Sequence, residues 1–241
     1  MKKLALVTAI PLLITALSLD QAQAVTFTET DDAGETLNTA QVIPRGTQTL
    51  TSISGILSGE ADLFQIFLTG GQTFSATTIN LDTLIELPTD DLLGSPSEIL
   101  ADPQLFLFDS LGKGVYANDD SSTSSQALLP SGGFSPAESG TYFLAISSFG
   151  YNPVSAGGMI FSDESSDGIF SPTGSGGNSA LIGFEGTSTT RGRYTIALTG
   201  VQTTAKSVPE PSSLLSLLVI GALATVSRHK DKRNNNRAIS N

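Results

Sequence analysis

The chain of 241 residues contains no cysteine, no tryptophan and a single histidine. That histidine, His229, lies in a basic C-terminal segment. The rest of the chain therefore cannot form a Ser-His-Asp or Cys-His catalytic site, or a zinc site built from histidine and cysteine. Charged residues are also scarce, at 15% against about 25% in an average globular chain. Any chemistry must rest on carboxylates, hydroxyl groups or the backbone.

Acidic side chains dominate the charge of the central region. Between positions 25 and 207 there are 20 acidic and 5 basic residues, and the whole chain carries a formal net charge of −11. Nucleic-acid phosphates bind through lysine and arginine, so an acidic body is unsuited to them. The sequence therefore predicts cations rather than nucleic acid as partners.

The N-terminal segment has the order of residues typical of a secretory signal peptide. Two lysines precede an apolar run at 4–19, and the segment 22–24 (Ala-Gln-Ala) supplies small residues for cleavage. We predict a signal peptide at residues 1–24 and an exported body at 25–207.

The C-terminal segment combines a proline-rich motif, a short apolar stretch and a cluster of positive charge. The motif consists of Val208, Pro209, Glu210 and Pro211. We predict a transmembrane helix at 212–227, which is near the short limit for crossing a bilayer. The lysines and arginines of residues 228–241 predict a cytoplasmic tail, which places the body on the outside.

Residues 208–233 resemble the PEP-CTERM sorting signal of bacteria that make extracellular polysaccharide. The resemblance implies that an exosortase, an intramembrane transpeptidase-like enzyme, recognises the Pro-Glu-Pro element and processes the protein. It also implies an inner-membrane anchor through the C-terminal helix before processing. The processed protein would then reach the cell surface or the extracellular matrix.

Short runs of alternating apolar and polar residues, separated by glycine turns, predict β-strands throughout the body. We predict them at 51–57, 63–68, 73–79, 105–109, 114–117, 142–148 and 193–200. No stretch of the body shows a convincing helical period over a dozen residues, so we predict an all-β body, an antiparallel β-sandwich. The Gly/Ser-rich segment 150–190 is either an elaborated surface excursion or partly mobile.

The body resembles the bacterial pre-peptidase C-terminal domain, a calcium-binding, jelly-roll-like sandwich often appended to secreted proteases. The resemblance lies in short motifs at 55–57, 60–64, 71–74, 102–109, 118–120 and 140–146, with 193–200 as a closing strand. It implies that calcium is held between an acidic lead-in segment and a D-x-D-like element. The corresponding residues here are Asp31, Asp32, Glu60 and Asp62.

Two acidic clusters are candidate calcium sites. Calcium takes six to eight oxygen ligands, and a bound cation offsets the repulsion between neighbouring carboxylates. The first cluster combines Glu29, Asp31, Asp32 and Glu35 with Glu60 and Asp62 at the start of a predicted strand; a solvated acidic turn is the alternative. The second contains Asn118, Asp119 and Asp120, where a turn held by side-chain to backbone hydrogen bonds is the alternative.

These features predict a non-enzymatic exported protein of the cell surface or of an exopolysaccharide-rich biofilm matrix. Calcium is the expected cofactor, and an exosortase, the inner membrane and extracellular polysaccharide are the expected partners. A carbohydrate-binding module, whose long loops grip polysaccharide, is the alternative. A polysaccharide hydrolase is a third hypothesis, since such an enzyme needs only two carboxylates. With no tryptophan and only 4 tyrosines, sugar-stacking platforms are scarce.

Overall fold

The computed structural model describes residues 24–44, 48–80, 99–162, 168–187 and 190–203. The predicted sorting motif, the predicted transmembrane helix and nearly all of the predicted signal peptide lie outside these ranges. The regular secondary structure within these ranges consists of β-strands. None of the residues described there forms a helix able to span a bilayer. The predicted all-β character of the body is confirmed for this part of the chain.

The described part of the chain forms fourteen strands. They are β1 (Ala24–Thr28), β2 (Gln41–Val42), β3 (Thr49–Leu57), β4 (Asp62–Leu68), β5 (Ser75–Thr78), β6 (Pro103–Phe108), β7 (Gly114–Asn118), β8 (Leu128–Leu129), β9 (Gly140–Ser148), β10 (Tyr151–Ser155), β11 (Gly158–Met159), β12 (Ile169–Phe170), β13 (Leu181–Gly186) and β14 (Gly192–Gln202). The strands predicted from alternation correspond to β3 to β7, β9 and β14.

One large sheet contains eleven strands, and two parts of it, here called layers, contribute residues to the same hydrophobic core. In the first layer, β14 lies between β3 and β5, and both pairings are antiparallel. In the second layer, β4 pairs with β9, β9 with β6, and β6 with β7, again antiparallel. The layers join at the end of β14, where Val201 pairs with Leu68 of β4. Gly200 has a φ of +77° just before this junction, a conformation that favours glycine.

The sheet is mixed rather than wholly antiparallel, which corrects one part of the prediction. β1 pairs with β3 in parallel, and β2 pairs with β4 in parallel. Parallel neighbours need a long crossover connection, whereas antiparallel neighbours can be joined by a tight turn. Strand alternation reports which face is buried and carries no information on direction, so these pairings were not predictable from it.

The main core lies between the two layers. Tyr142, Leu144 and Ile146 of β9 all face it, as their spacing predicts. The opposing layer contributes Leu50, Ile53 and Leu57 from β3 together with Tyr194, Ile196, Leu198 and Val201 from β14. Full burial of an aliphatic or aromatic side chain of this size stabilises the fold by about 1.5–3 kcal/mol.

A second core covers the opposite face of β4, β6 and β9. The described residues of segment 150–190 form β12 and a separate three-stranded sheet in the order β11-β10-β13. Ile160, Phe161, Leu181 and Phe184 from this segment pack on Phe106, Phe108 and Phe143. The segment therefore supplies a third layer and part of the core. The central strands are buried on both faces, which explains the uninterrupted apolar run in β6.

Candidate metal centre

Three carboxylates meet where β1 ends and β4 begins. Glu29 directly follows β1, Asp32 lies in the connection to β2, and Asp62 is the first residue of β4. One carboxylate oxygen from each of the three lies within 4.8 Å of those from the other two. The parallel pairing of β1 with β3 continues through Glu29, whose N–H donates a 2.8 Å hydrogen bond to the carbonyl of Ser54. We call Glu29, Asp32 and Asp62 the β4 acidic group.

Asp62 is the most deeply buried member, with 1% of its surface exposed. Its Oδ2 accepts a 2.7 Å hydrogen bond from the hydroxyl of Tyr194 in β14. Its Oδ1 is buried, and no described residue donates a hydrogen bond to it. A buried oxygen with no donor is costly unless another positive partner approaches it. A cation bound to the β4 acidic group would supply that partner.

The backbone fixes the carboxylate of Glu29. Oε1 accepts a 3.1 Å hydrogen bond from Ala33 N–H, and Oε2 accepts one of 3.0 Å from Ile56 N–H. Gly55 leaves the necessary space, since a Cβ there would lie 2.2 Å from Glu29 Oε2 and 2.5 Å from the Tyr194 hydroxyl. The glycine therefore allows both polar groups to lie against β3.

Burial disfavours the charged forms in this group. It raises the pKa of Asp62 to about 8, and the carboxylates of Glu29 and Asp32 raise it as well, while the Tyr194 hydrogen bond opposes them. Burial also raises the pKa of Glu29, although the hydrogen bonds from the backbone N–H groups of Ile56 and Ala33 lower it. Opposite charge nearby favours ionised carboxylates. The group therefore accepts either protons or a cation.

The donor set fits a hard divalent cation such as calcium. Carboxylate oxygens are the ligands that calcium prefers, and each of the three carboxylates can bind through one or both oxygens. Asp62 Oδ1 has no donor among the described residues and is free to ligate. Exposed Asp32 keeps one side of the group open to water, which completes calcium coordination in many sites.

The structure brings together two of the four residues predicted at this site. Asp32 and Asp62 belong to the β4 acidic group, whereas Asp31 and Glu60 are exposed and lie outside it. Burial raises the pKa of Tyr151 to about 12, and the carboxylates of Glu35 and Glu60 raise it further. Sequence reasoning placed Glu29 in the neighbourhood but not among the ligands.

A sequence signal for Glu29 did exist. Phe27 and Glu29 are two residues apart and both half-buried, as expected for neighbours on the inner face of a strand. Glu29 follows an inward-facing phenylalanine at the spacing of a strand, and it was therefore a better ligand candidate than exposed Asp31.

A second acidic group lies at the β6–β7 end of the fold. It contains Asp102, Asp119 and Asp120, whose carboxylate oxygens lie within 4.8 Å of one another. Asn118, predicted with the last two, has a structural role. Its Nδ2 donates a 2.8 Å hydrogen bond to the carbonyl of Asp120 and another to the carbonyl of Gly168. Its Oδ1 accepts a hydrogen bond from Leu128 N–H, so both polar atoms of the Asn118 side chain bond to the backbone.

No protein-family model matches the chain, and comparison with curated proteins gives no match. The proposals below therefore rest on the residues and the geometry of this chain.

Proposed function

We propose that the chain is a non-enzymatic exported protein of the cell surface or of an exopolysaccharide matrix, with a calcium-stabilised body of the jelly-roll-like sandwich type. The β4 acidic group is the observation that carries this proposal. It joins the exit of β1 to the start of β4, and Tyr194 connects it to β14. A cation bound there holds three strands together in a chain that has no cysteine for disulfides.

The burial of the aromatic residues supports a display role over the carbohydrate-binding alternative. All 12 phenylalanines and 4 tyrosines lie within the described residues, and Phe149 alone is exposed, at 44%. Carbohydrate-binding surfaces commonly stack sugar rings on aromatic side chains. A lone exposed ring does not make an extended platform for a polysaccharide.

The two ends of the chain support the surface location. The signal-peptide pattern at 1–24 accounts for export, and the Val208 to Pro211 motif with the apolar segment 212–227 accounts for retention and sorting. We assign the motif to recognition by an exosortase-type enzyme. The inner membrane is the site of the protein before processing.

Thermal unfolding of the purified full-length protein in detergent tests the calcium role. A cation that binds the folded state alone stabilises it by about 2.7 kcal/mol at a hundredfold excess over its dissociation constant. We expect a higher melting temperature in about 1 mM calcium chloride, a level suited to extracellular calcium sites, than in EDTA. Asp62→Asn should reduce the difference. Asp31→Asn is the matched control, because Asp31 is an exposed neighbour outside the group.

Identical melting curves in calcium and EDTA would contradict a calcium-stabilised body. Two further assays address the competing functions. Hydrolysis of native polysaccharide by the purified protein would contradict the non-enzymatic role, and specific retention on immobilised polysaccharide would favour the carbohydrate-binding module.

A further inference from the structure

We propose a second divalent-cation site, formed by Asp102, Asp119 and Asp120, which ties the start of β6 to the exit of β7. The site is separate from the β4 acidic group and goes beyond the proposed function. We call it the β6–β7 site.

The strand register explains why these carboxylates meet. Asp102 directly precedes β6, and Asp119 and Asp120 directly follow β7. The two strands are antiparallel, with Leu105 opposite Asn118, so the start of one and the end of the other lie at the same end of the hairpin. Asp109 lies at the opposite end, where its Oδ1 accepts hydrogen bonds from Leu111 N–H and Lys113 N–H.

One of the three carboxylates is buried and the other two are half-buried. Asp119 is 2% exposed, and Asp102 and Asp120 are half-buried. The Oδ1 atoms of Asp102 and Asp120 are both buried, and within the described part of the chain neither receives a hydrogen bond. Neighbouring carboxylates repel one another, and a cation bound between them would offset that repulsion. Burial and the charge of Asp120 both raise the pKa of Asp102.

Gln104 provides an independent observation. It is 8% exposed, and its Oε1 is buried without a hydrogen-bond donor from any described residue. Side chains two residues apart on a strand share a face, so Gln104 lies on the same face of β6 as Asp102. The paired register of β6 and β7 ends at Leu105 and Asn118, which directly follow Gln104 and directly precede Asp119, respectively. Gln104 therefore lies at the end of the hairpin where the carboxylates meet, with a neutral amide oxygen that has no donor among the described residues.

These four side chains make a donor set for calcium. Three carboxylates and one amide oxygen are hard oxygen ligands, and the remaining positions can be taken by backbone carbonyls or water. Asn118 orients the loop, because its Nδ2 holds the carbonyl of Asp120. The cation neutralises the carboxylates and satisfies the buried Oε1 of Gln104.

Calcium stoichiometry tests the proposal directly. The purified full-length protein is dialysed against about 1 mM calcium chloride, and bound calcium per chain is measured by atomic emission. Asp119→Asn and Asp102→Asn should each lose one equivalent of calcium relative to the parent, from the β6–β7 site. Asp62→Asn should lose one equivalent from the β4 acidic group. The double variant Asp62→Asn with Asp119→Asn should lose both. Asp109→Asn is the matched control and should retain the parent stoichiometry, because the asparagine Oδ1 can accept the same two hydrogen bonds.

The outcomes separate this site from the first. Unchanged calcium in folded Asp119→Asn and Asp102→Asn overturns the β6–β7 site, even if Asp62→Asn loses calcium and so upholds the first site. Loss in these two variants with no loss in Asp62→Asn supports the β6–β7 site and contradicts the first. Far-UV circular dichroism monitors folding. If Asp119→Asn does not fold, the calcium content of Asp102→Asn and Asp120→Asn decides the result, because Asp102 and Asp120 are only half-buried and their variants are expected to fold.

Discussion

The hydroxyl of Tyr194 donates a 2.7 Å hydrogen bond to Oδ2 of Asp62, joining two residues 132 positions apart in the sequence. Tyr194 is 4% exposed and packs in the main core, while Asp62 belongs to the β4 acidic group. The pair therefore links the packing of β14 to the charge state of the candidate calcium site. A change at either residue should affect both stability and cation binding.

We expect Tyr194→Phe to destabilise the protein and to weaken calcium binding. The substitution leaves a buried carboxylate oxygen without its donor, which costs about 1–3 kcal/mol. Since the tyrosine hydrogen bond lowers the pKa of Asp62, its loss should make protons compete better with calcium. Urea unfolding and calcium titration at pH 7 measure the two effects.

Tyr142→Phe is the control for this prediction. Tyr142 packs its ring against Phe134 at a centroid distance of 5.6 Å and is half-buried. A Tyr194→Phe protein with the stability and calcium affinity of the Tyr142→Phe protein would show that the Tyr194 hydroxyl contributes nothing to the site.

Without calcium, stability should fall as the pH rises from about 4 to 8. Above the unfolded-state pKa of about 4, the unfolded chain has released the Asp62 proton, while the folded protein keeps it until its pKa of about 8. The folded state then binds more protons, so the free energy of unfolding decreases with pH, by up to about 1.4 kcal/mol per unit for one proton. The raised pKa of Glu29 acts in the same direction.

Melting temperatures in EDTA between pH 5 and 8.5 measure this dependence. Asp62→Asn should flatten the slope, and saturating calcium should reduce it, because the cation keeps the carboxylate ionised in the folded state. A melting temperature that rises from pH 5 to 8 in EDTA would contradict the protonation of Asp62 in the folded protein.

The sequence predicted the strands better than their partners. Residues spaced two apart in β9 and β14 face the main core, as their spacing predicts, but alternation did not indicate that β9 is buried on its other face as well. The three-stranded sheet was not predicted, because segment 150–190 is rich in glycine and serine. Its core contacts come from a few apolar residues, such as Phe161 and Phe184.

The acidic groups show the same limit. Asp32 and Asp62 were predicted together because the resemblance places the acidic lead-in segment against the D-x-D-like element. The same resemblance also selected Glu60, which lies outside the β4 acidic group. Asp102 reaches Asp119 only through the antiparallel pairing of β6 with β7, so its membership depends on strand pairing.

We expect Gly55→Ala to disrupt the β4 acidic group without a change of charge. The added Cβ would lie 2.2 Å from Glu29 Oε2 and 2.5 Å from the Tyr194 hydroxyl, so both must shift. The difference in melting temperature between calcium and EDTA should therefore shrink. Gly183→Ala is the matched control, since Gly183 is also in a strand and a Cβ there meets no atom within 4 Å. Equal calcium-dependent shifts in both variants would show that the position of Glu29 is unimportant for binding.

Under the proposed function, Glu210 should serve recognition and the apolar stretch 212–227 should serve membrane insertion. A Pro-Glu-Pro element adds no hydrophobicity, whereas an apolar stretch of this kind favours insertion. Glu210→Ala should therefore leave export and insertion intact but block processing, so that the full-length form without its signal peptide accumulates in the inner membrane. Ile220→Asp should instead weaken insertion, at a cost of about 2.5–3.5 kcal/mol.

Cell fractionation with immunoblotting distinguishes these two effects. The Glu210→Ala protein is expected in the inner-membrane fraction at the unprocessed size, and the Ile220→Asp protein is expected to show reduced membrane association. Under the proposed function, the parent should reach the surface or the matrix, because the processing enzyme would recognise the carboxylate at position 210. A Glu210→Ala protein that reaches the surface with the size and yield of the parent would mean that residues 208–211 act only as a linker, because removal of the one carboxylate in the motif would then leave sorting unaffected.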